Sequence, residues 1–407
     1  MCQVIKIVLL SFFLTACISN DYVYEANKPT AENNNSAVIA RSKQLKCDLT
    51  VGPGNSFSRA FSKMNKDQLL CLQDGVYEQL MSIPTGMHVR ALNDGKAEID
   101  GRRLNAGWQA LLMLYGNNSS VRGVKVHHAS QNADACSIKG SNNEFRVMSC
   151  SHGGKYKHKI PLTVSGKGHL IEDSWFYGEG RYVVLCFKGK QITFRRNVAR
   201  WDLTAPNYKS EPNATFSIYN CSGTTIENNV SLDYGIPQTP MKYGADFYGP
   251  QNREVWPEGN QNNYWLGNIA INHSRDTLNR RGLRLDPSTV LVDNFISDFY
   301  VRDSNIGIVG NSRTKKLRVG TCTMSNVNRI GINSGKLKIQ CNGEADISKK
   351  YVNRIKTKQP LFPWKNEELI KNDMCKTGER QSAWCATNLT LSRYILNEEY
   401  STNNEKE

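Results

Sequence analysis

The stretch ITFRRNVARWD, residues 192–202, decides the fold, because similar phrases return along the chain. TIENNVSLD, YWLGNIAINH and VLVDNFISDF follow it, and VRGVKVHHA, FRVMSCS and IEDSWFYGE precede it. A near-constant spacing with two longer intervals is typical of stacked coils that carry loop insertions. On one common register, the phrases begin 23 to 39 residues apart, at Val121, Phe145, Ile171, Phe194, Ile226, Trp265, Leu291 and Leu317.

Each phrase predicts one strand, since its apolar residues alternate with a period of two. Glycine, asparagine and serine between the strands supply the turns. Strands that recur once per coil run parallel, and parallel strands cannot be joined by tight hairpins. The sequence therefore predicts an all-β fold, a single-stranded parallel β-helix.

Two positions of the register predict how the coils stack. The first is rich in asparagine, whose side chain can bond to the same position of the next coil and to the backbone. The second, two residues later, is small or apolar and predicts an inward core stack. The predicted ladder is Ser174, Asn197, Asn229, Asn268 and Asn294, and the predicted core stack is Cys150, Phe176, Ala199, Ser231, Ala270, Ile296 and Cys322.

From Cys47 to Lys338 the chain resembles the right-handed parallel β-helix proteins of the pectate-lyase-like superfamily. TVGPGNSFSRAFSKMNKDQLLCLQDGVYEQ, residues 50–79, looks like the N-terminal segment of that family, a short helix followed by a strand and a DG-x-Y turn. Such a helix covers the open end of the core, as terminal units of repeat proteins must. The predicted N-cap is Ser56, and one helical face carries Phe57, Ala60, Phe61 and Met64.

The N-terminus predicts export. MCQVIKIVLLSFFLTACISN has one positive charge and an apolar run shorter than the roughly 20 residues that cross a bilayer. Leu14 to Cys17 resembles the lipobox of bacterial lipoproteins, which implies lipidation at Cys17 and, with Ile18 next, an outer-membrane lipoprotein facing the periplasm or the cell surface. The predicted segments are a signal peptide at 1–16, a flexible tether at 17–43, a cap and first coil at 44–96, the β-helix at 97–340, and a C-terminal cap and tail at 341–407 that packs on the other end.

Export permits disulfides. Cys47 and Cys71 bracket the first ordered element, and Cys375 and Cys385 lie close together near the C-terminus, so these are the two predicted bridges. The remaining cysteines fall within the phrases and are expected to be small buried apolar residues. Cys150 and Cys322 are therefore expected not to be bridged. The Cys and His spacing predicts no structural zinc.

The formal charge of +15 favours a polyanionic partner. Export and the lack of a nucleic-acid motif argue against nucleic acid. Acidic polysaccharide and anionic lipid remain as candidate partners, and the predicted lipid anchor would bring the protein to the lipid. We expect a monomer.

The ends of the phrases form a line that we call the rung-end edge. In the predicted register Glu179, Asp202, Tyr234 and His273 share one position of this edge, with Asp233 and Asp298 one position earlier. The insertions LTAPNYKSEPNA, YGIPQTPMKYG and NREVWPEGNQNN are predicted to leave the stack at this same edge. Acids, tyrosine and histidine beside several cations exceed what a solenoid needs for stacking.

The resemblance implies uronate chemistry, with β-elimination as the leading reaction. This reaction needs a cation to neutralise the carboxylate, a base for the C5 proton and an acid for the leaving oxygen. Carboxylates could add Ca²⁺ as a cofactor. The predicted catalytic residues are Arg181, Lys242, Tyr243, His273 and Arg281, the substrate-binding residues are Arg284, Trp256 and Tyr234, and the calcium ligands are Glu179, Asp202 and Asp233.

Three alternatives stay open. A glycoside hydrolase would use two carboxylic residues, such as Asp202 with Asp233 or Glu179, although the polygalacturonase pattern of paired aspartates, Gly-His-Gly and Arg-Ile-Lys is missing from the phrases. A non-catalytic glycan-binding or structural surface lipoprotein would use the same cations and aromatic residues without a base and acid. Cations spread over all faces would instead indicate contact with anionic lipid.

Overall fold

The computed structural model describes residues 45–107, 109–129, 133–151, 160–178, 181–201, 213–234, 244–249, 262–272, 281–285, 295–310, 318–319, 322–333, 367–375 and 384–396. Strands pair in parallel from coil to coil and form three long faces. Crossover connections between parallel strands of one sheet are almost always right-handed. The chain is a right-handed parallel β-helix, as predicted.

Each coil contributes one strand to each sheet in the order first, second, third. The first sheet comprises β1 (Leu49–Val51), β2 (Leu69–Leu72), β5 (His88–Ala91), β8 (Ser120–Arg122), β11 (Glu144–Arg146), β14 (Leu170–Glu172), β17 (Thr193–Arg195), β20 (Thr225–Glu227), β23 (Tyr264–Leu266), β26 (Phe295–Ser297) and β28 (Arg318–Val319).

The second sheet comprises β3 (Gly75–Tyr77), β6 (Ala97–Asp100), β9 (Val124–His127), β12 (Ser149–Ser151), β15 (Trp175–Gly178), β18 (Val198–Trp201), β21 (Val230–Leu232) and β24 (Ile269–Ile271). The third comprises β4 (Met81–Ile83), β7 (Leu112–Leu114), β10 (Cys136–Ile138), β13 (Leu162–Lys167), β16 (Tyr182–Lys190), β19 (Asn213–Tyr219), β22 (Gly244–Gly249) and β25 (Arg281–Leu285). The long strands β27 (Phe299–Gly310) and β29 (Cys322–Asn333) run through both sheets and join them.

The turn from the first sheet to the second repeats in every coil. One residue there has a left-handed backbone, from Gly123 at φ 74° through Arg196 at 51° to Asp298 at 53°. The backbone N–H of the next residue then donates to a side chain of the following coil. Asn197 N–H donates to Asn229 Oδ1 at 3.0 Å, and Asn229 N–H donates to Asn268 Oδ1 at 3.1 Å. The asparagine ladder is confirmed for its described members, and Ser174 joins it by accepting from the Met148 N–H and donating its own N–H to Asn197.

The predicted register holds from Val121 to Trp265 but is wrong for the last two phrases. Ile296, and not Leu291, pairs with Trp265, and Val319 follows Ile296. Ile296 therefore belongs to the first sheet, and Phe299 and Cys322 take the ladder position that was predicted for Asn294. Asn294 itself lies outside the described residues. Apolar alternation continues through the connection before Phe295, so the pattern alone could not place this coil.

The core inside the three sheets is continuous and apolar. Phe216 and Phe247 stack across neighbouring coils with ring centroids 5.0 Å apart. Helix α1 (Phe57–Phe61) lies near the first coil and buries Phe57, Ala60 and Phe61, and the Arg59 N–H donates to the Ser56 Oγ at its N-cap, as predicted.

The two predicted disulfides, Cys47–Cys71 and Cys375–Cys385, are confirmed. The expectation that cysteines within the coils stay unbridged is wrong. Cys136 bonds to Cys150, Cys186 bonds to Cys221, and Cys322 is also disulfide-bonded. Two cysteines on different sheets meet across the narrow interior, and a repeat pattern does not reveal that proximity.

The C-terminal helices α2 (Glu367–Met374) and α3 (Leu391–Leu396) lie along the side of the solenoid. Ile370, Met374, Trp384 and Leu391 pack against apolar side chains on the outer face of the second sheet. The prediction that this segment packs on the end of the stack is therefore wrong. No helix within the described part of the chain is long and apolar enough to cross a membrane.

We expect Asn229→Ala to lower the free energy of unfolding by roughly 2–4 kcal/mol, because it leaves buried donors of Asn197 and the Phe194 carbonyl without partners. Urea denaturation measures the loss. The matched control is Asn328→Ala, which removes an exposed Asn–Asn contact and is expected to cost less than about 0.5 kcal/mol. Equal costs would contradict a structural role for the ladder.

Candidate active site

The outer face of the second sheet is divided into two zones. From β15 onwards it is apolar, with Trp175, Val198, Val230 and Ile269 packed against the C-terminal helices. On β6 and β9 the same outward positions carry charged and polar residues instead. Stacking explains the apolar zone, but nothing in the fold demands the polar one. The polar residues are Glu98, Asp100, Lys125 and His127.

Six of the residues predicted for the site lie outside the described residues, as does the predicted lipidation site Cys17. They are Glu179, Asp202, Lys242, Tyr243, Trp256 and His273. The insertions that were predicted to share one edge leave from two. Residues 202–212 and 235–243 connect second-sheet to third-sheet strands, whereas residues 250–261 connect β22 of the third sheet to β23 of the first.

The predicted cations Arg181 and Arg281 lie at the starts of third-sheet strands, just past the corner between the second and third sheets. Arg181 directly precedes β16, and Arg281 is the first residue of β25. Three strand spacings separate β16 from β25, or about 14 Å. Arg281 donates to the Gly244 carbonyl at 3.2 Å. Burial, and then the charge of Arg284, lower the pKa of Arg281. Arg284 is buried with its guanidinium 5.5 Å from the Tyr248 ring centroid.

Tyr234 and Asp233 have structural contacts. The Tyr234 ring is buried and meets Trp201 edge to face at 5.9 Å, so it presents no surface to a ligand. The Asp233 carboxylate accepts from Arg200 Nε at 2.9 Å, and both groups are buried. Arg200 also donates to the Met374 carbonyl of α2, so this ion pair connects the coils to the C-terminal segment.

The predicted register put Asp298 at the rung-end edge, but Asp298 lies away from that edge. It occupies the left-handed turn between the first and second sheets, because the last coils are shifted from the predicted alignment. Its neighbours in that column are turn residues of the fold and not members of a site.

The polar zone is centred on two consecutive histidines. Asp100 and His127 are register partners on β6 and β9, and His128 follows at the turn with φ 57°. The Nδ1 atoms of His127 and His128 lie 2.5 Å apart. The Asp100 Oδ1 lies 3.4 Å from the His128 Nδ1 and 4.0 Å from the His127 Nδ1. A carboxylate and two imidazoles thus converge at the rung-end edge.

Two side chains orient this group. The Glu98 carboxylate lies 3.1 Å from the His127 Nε2, and this hydrogen bond is the main cause that lowers the pKa of Glu98. Arg102 donates to the Asp100 Oδ2 from Nε at 2.8 Å, and its backbone N–H donates to Oδ1 at 3.0 Å. Burial would raise the pKa of Asp100, but the bonds from Arg102 outweigh it and lower this pKa to about 2. Asp100 is therefore a carboxylate throughout the physiological range.

Cations surround the group on its solvent side. Lys125 Nζ lies 4.0 Å from Glu98, and Arg103 reaches Glu78 at 3.4 Å. The Arg102 and Arg103 side chains are 68% and 81% exposed, so they can meet a ligand. Glu78 also lines a cavity of about 520 Å³ with Gly54, Ser56, Val76 and Gln79.

Sequence reasoning singled out this edge of the coil but not this group. The pair His127-His128 ends the phrase VRGVKVHHA, and two adjacent histidines at a phrase end were the available signal. Asp100 could not be joined to them, because it is 27 residues away and only the strand register makes it their neighbour.

No protein-family model matches the chain. No curated protein matches it either. Similar solved structures include a pectate lyase, with 15% identity over 74% of this chain and 79% of that chain at a TM-score of 0.43. An alginate lyase from Paenibacillus sp. str. FPU-7 has 11% identity, 66% and 99% coverage and a TM-score of 0.45. A polysaccharide lyase of the PL6 family from Pseudopedobacter saltans has 13% identity, 70% and 78% coverage and a TM-score of 0.48. The description of the fold rests on the strand pairing of the chain itself, and a shared fold does not transfer activity.

We expect Asp233→Asn to weaken the attachment of the C-terminal helices, because it removes the buried carboxylate that the Arg200 Nε contacts. The free energy of unfolding should fall by roughly 3 kcal/mol, and limited proteolysis should cut sooner between residues 367 and 396. Glu144→Gln is the control, since its ion pair with Arg146 is half-exposed and costs little to lose. Unchanged stability with loss of Ca²⁺ binding would show Asp233 to be a calcium ligand instead.

Proposed function

We propose that this protein binds an acidic polysaccharide at the rung-end edge and cleaves it by β-elimination. The observation that carries the proposal is the convergence of two imidazoles and a permanent carboxylate beside exposed arginines at the rung-end edge. With the predicted anchor at Cys17, cleavage would take place at the outer membrane. The predicted Ca²⁺ requirement remains a prediction.

The arginines supply the charge that the substrate requires. A uronate carboxylate must be neutralised before the proton at C5 becomes acidic enough to remove. Both guanidinium groups are exposed, Arg102 meeting Asp100 through Nε and Nη2 and Arg103 meeting Glu78 through Nη1, and a guanidinium has five N–H donors in all. An acidic chain that approaches this edge therefore meets two guanidinium groups.

The histidines supply proton transfer. Imidazole is the side chain whose ordinary pKa lies nearest neutral pH, which suits it to accept and return a proton. His128 is 37% exposed and can reach a substrate, whereas His127 is 9% exposed and is held by Glu98. Elimination needs a base and an acid, two roles that a pair of imidazoles can fill, whereas a purely binding surface needs neither.

The edge continues beyond the histidines along the axis. Arg181 directly precedes β16. This strand lies in the same coil as β15, which is two coils after the coil of β9. Parallel strands lie about 4.8 Å apart, so this cation is roughly 10 Å further along the same corner. A polymer lying parallel to the axis would contact Arg181 after passing the histidines.

The test measures ultraviolet absorbance of unsaturated uronate products from a panel of acidic polysaccharides, with and without Ca²⁺, using the purified full chain. We expect His128→Asn and Arg103→Ala each to reduce the rate about 100-fold or more. His128→Asn keeps a residue that tolerates the left-handed backbone.

His88→Ala is the matched control and should leave the rate unchanged, because His88 lies on the first sheet beside Ser120. Cleavage that survives both site variants would place the chemistry elsewhere. Salt-sensitive retention on one polymer without product would favour the alternative of a non-catalytic glycan-binding protein. Saturated products with new reducing ends would favour a glycoside hydrolase.

A further inference from the structure

The group of Asp100, His127 and His128 has the donor set of a metal centre. Its three potential ligand atoms are one carboxylate oxygen and two imidazole nitrogens, all within 4.8 Å of one another. Ligand atoms on one Zn²⁺ lie about 3.3 Å apart, given bonds of about 2.1 Å. The observed separations of 2.5, 3.4 and 4.0 Å fall on both sides of that value. Small side-chain rotations would therefore make all three equal.

The tautomer of His127 is set for coordination. Its Nε2 faces the Glu98 carboxylate at 3.1 Å, so the ring proton is held on that nitrogen. The Nδ1 is then left with a lone pair directed at His128. A carboxylate that fixes the far nitrogen of a ligating histidine is the usual outer-shell arrangement of metal sites in proteins.

Asp100 is held in a similar way. Its Oδ2 accepts both Arg102 nitrogens, at 2.8 Å to Nε and 2.6 Å to Nη2, while Oδ1 is the oxygen near the histidines. The carboxylate is 5% exposed. Both oxygens are thus held by Arg102, Oδ2 by its side chain and Oδ1 by its backbone N–H at 3.0 Å, and Oδ1 also faces the histidines.

The chemistry of the donors selects the ion. Two imidazoles and one carboxylate suit Zn²⁺ and related divalent transition ions, whereas Ca²⁺ prefers oxygen ligands alone. Three protein ligands leave a fourth position. Since His128 is 37% exposed, that position faces solvent. The arrangement therefore matches an open site more closely than a closed structural one.

We propose that Asp100, His127 and His128 bind one divalent transition ion, with Zn²⁺ as the probe. This inference goes beyond the proposed function and gives the same histidines a different role, since a nitrogen that ligates an ion cannot also accept a proton. Metal binding is measured in the absence of any polysaccharide. A lyase without metal affinity, or a metal-binding protein without lyase activity, would separate the two proposals.

Isothermal titration of ZnCl₂ into the purified full chain, without a histidine tag and after dialysis against a chelator, tests the proposal. We expect one site per chain, and His127→Ala and His128→Asn should each weaken Zn²⁺ binding at least 100-fold. Glu98→Gln should weaken it about 10- to 100-fold, as loss of an outer-shell partner does. Circular dichroism of each variant checks that the β-helix is intact.

Two controls guard against binding by other histidines. His88→Ala should keep full affinity, since the His88 ring forms a hydrogen bond with Ser120 on the first sheet. A variant with alanine at His152, His158 and His273, which lie outside the described residues, should also keep it. Unchanged affinity in His128→Asn and Glu98→Gln, or loss of binding in the triple variant, would overturn the proposal. As an independent check, the paramagnetic resonance spectrum of bound Cu²⁺ should show two nitrogen ligands, and a spectrum without nitrogen would also overturn it.

Discussion

The structure depends on the hydrogen bond that each coil receives from the next at the turn between the first and second sheets. One residue there takes a left-handed backbone, and the following N–H would be buried without a partner. An asparagine of the next coil accepts it, while its own amide donates back to the previous coil, as the Asn229 Nδ2 does to the Phe194 carbonyl. Because an unpaired buried donor costs about 1–3 kcal/mol, this repeat fixes the register of the coils that carry Ser174, Asn197, Asn229 and Asn268.

With the register fixed, the side chains on the outer faces of the sheets can differ from coil to coil. On the second sheet, the later coils present apolar side chains that the C-terminal helices cover, with Arg200 and Arg302 reaching helix carbonyls. The earlier coils present Asp100, His127 and Glu98 to the rung-end edge. Among the described residues, the helices pack on the apolar coils of this face, and in the polar group the Arg102, Arg103 and His128 side chains are exposed.

The sequence predicts features that are local or strictly periodic, and the structure confirms them. Strand alternation, the ladder at Asn197 and Asn229 and the N-cap at Ser56 each depend on residues within one phrase or one period. Features that depend on two distant segments were missed or misplaced. The Cys136–Cys150 bridge crosses the interior, Ile296 takes the register position predicted for Leu291, and Asp100 meets His127 only through register. For this reason the sequence indicated the rung-end edge but not the histidine group on it.

The central claim is that this histidine group forms the functional surface of the solenoid. The most direct test is a crystal structure of the full chain with an acidic oligosaccharide of the polymer that it retains most strongly. The account predicts a sugar carboxylate within hydrogen-bond reach of Arg102 or Arg103, with the His128 ring against the same sugar. An oligosaccharide bound on the first sheet, along the Arg146, Glu172 and Arg195 side chains, with the histidine group empty, would contradict it.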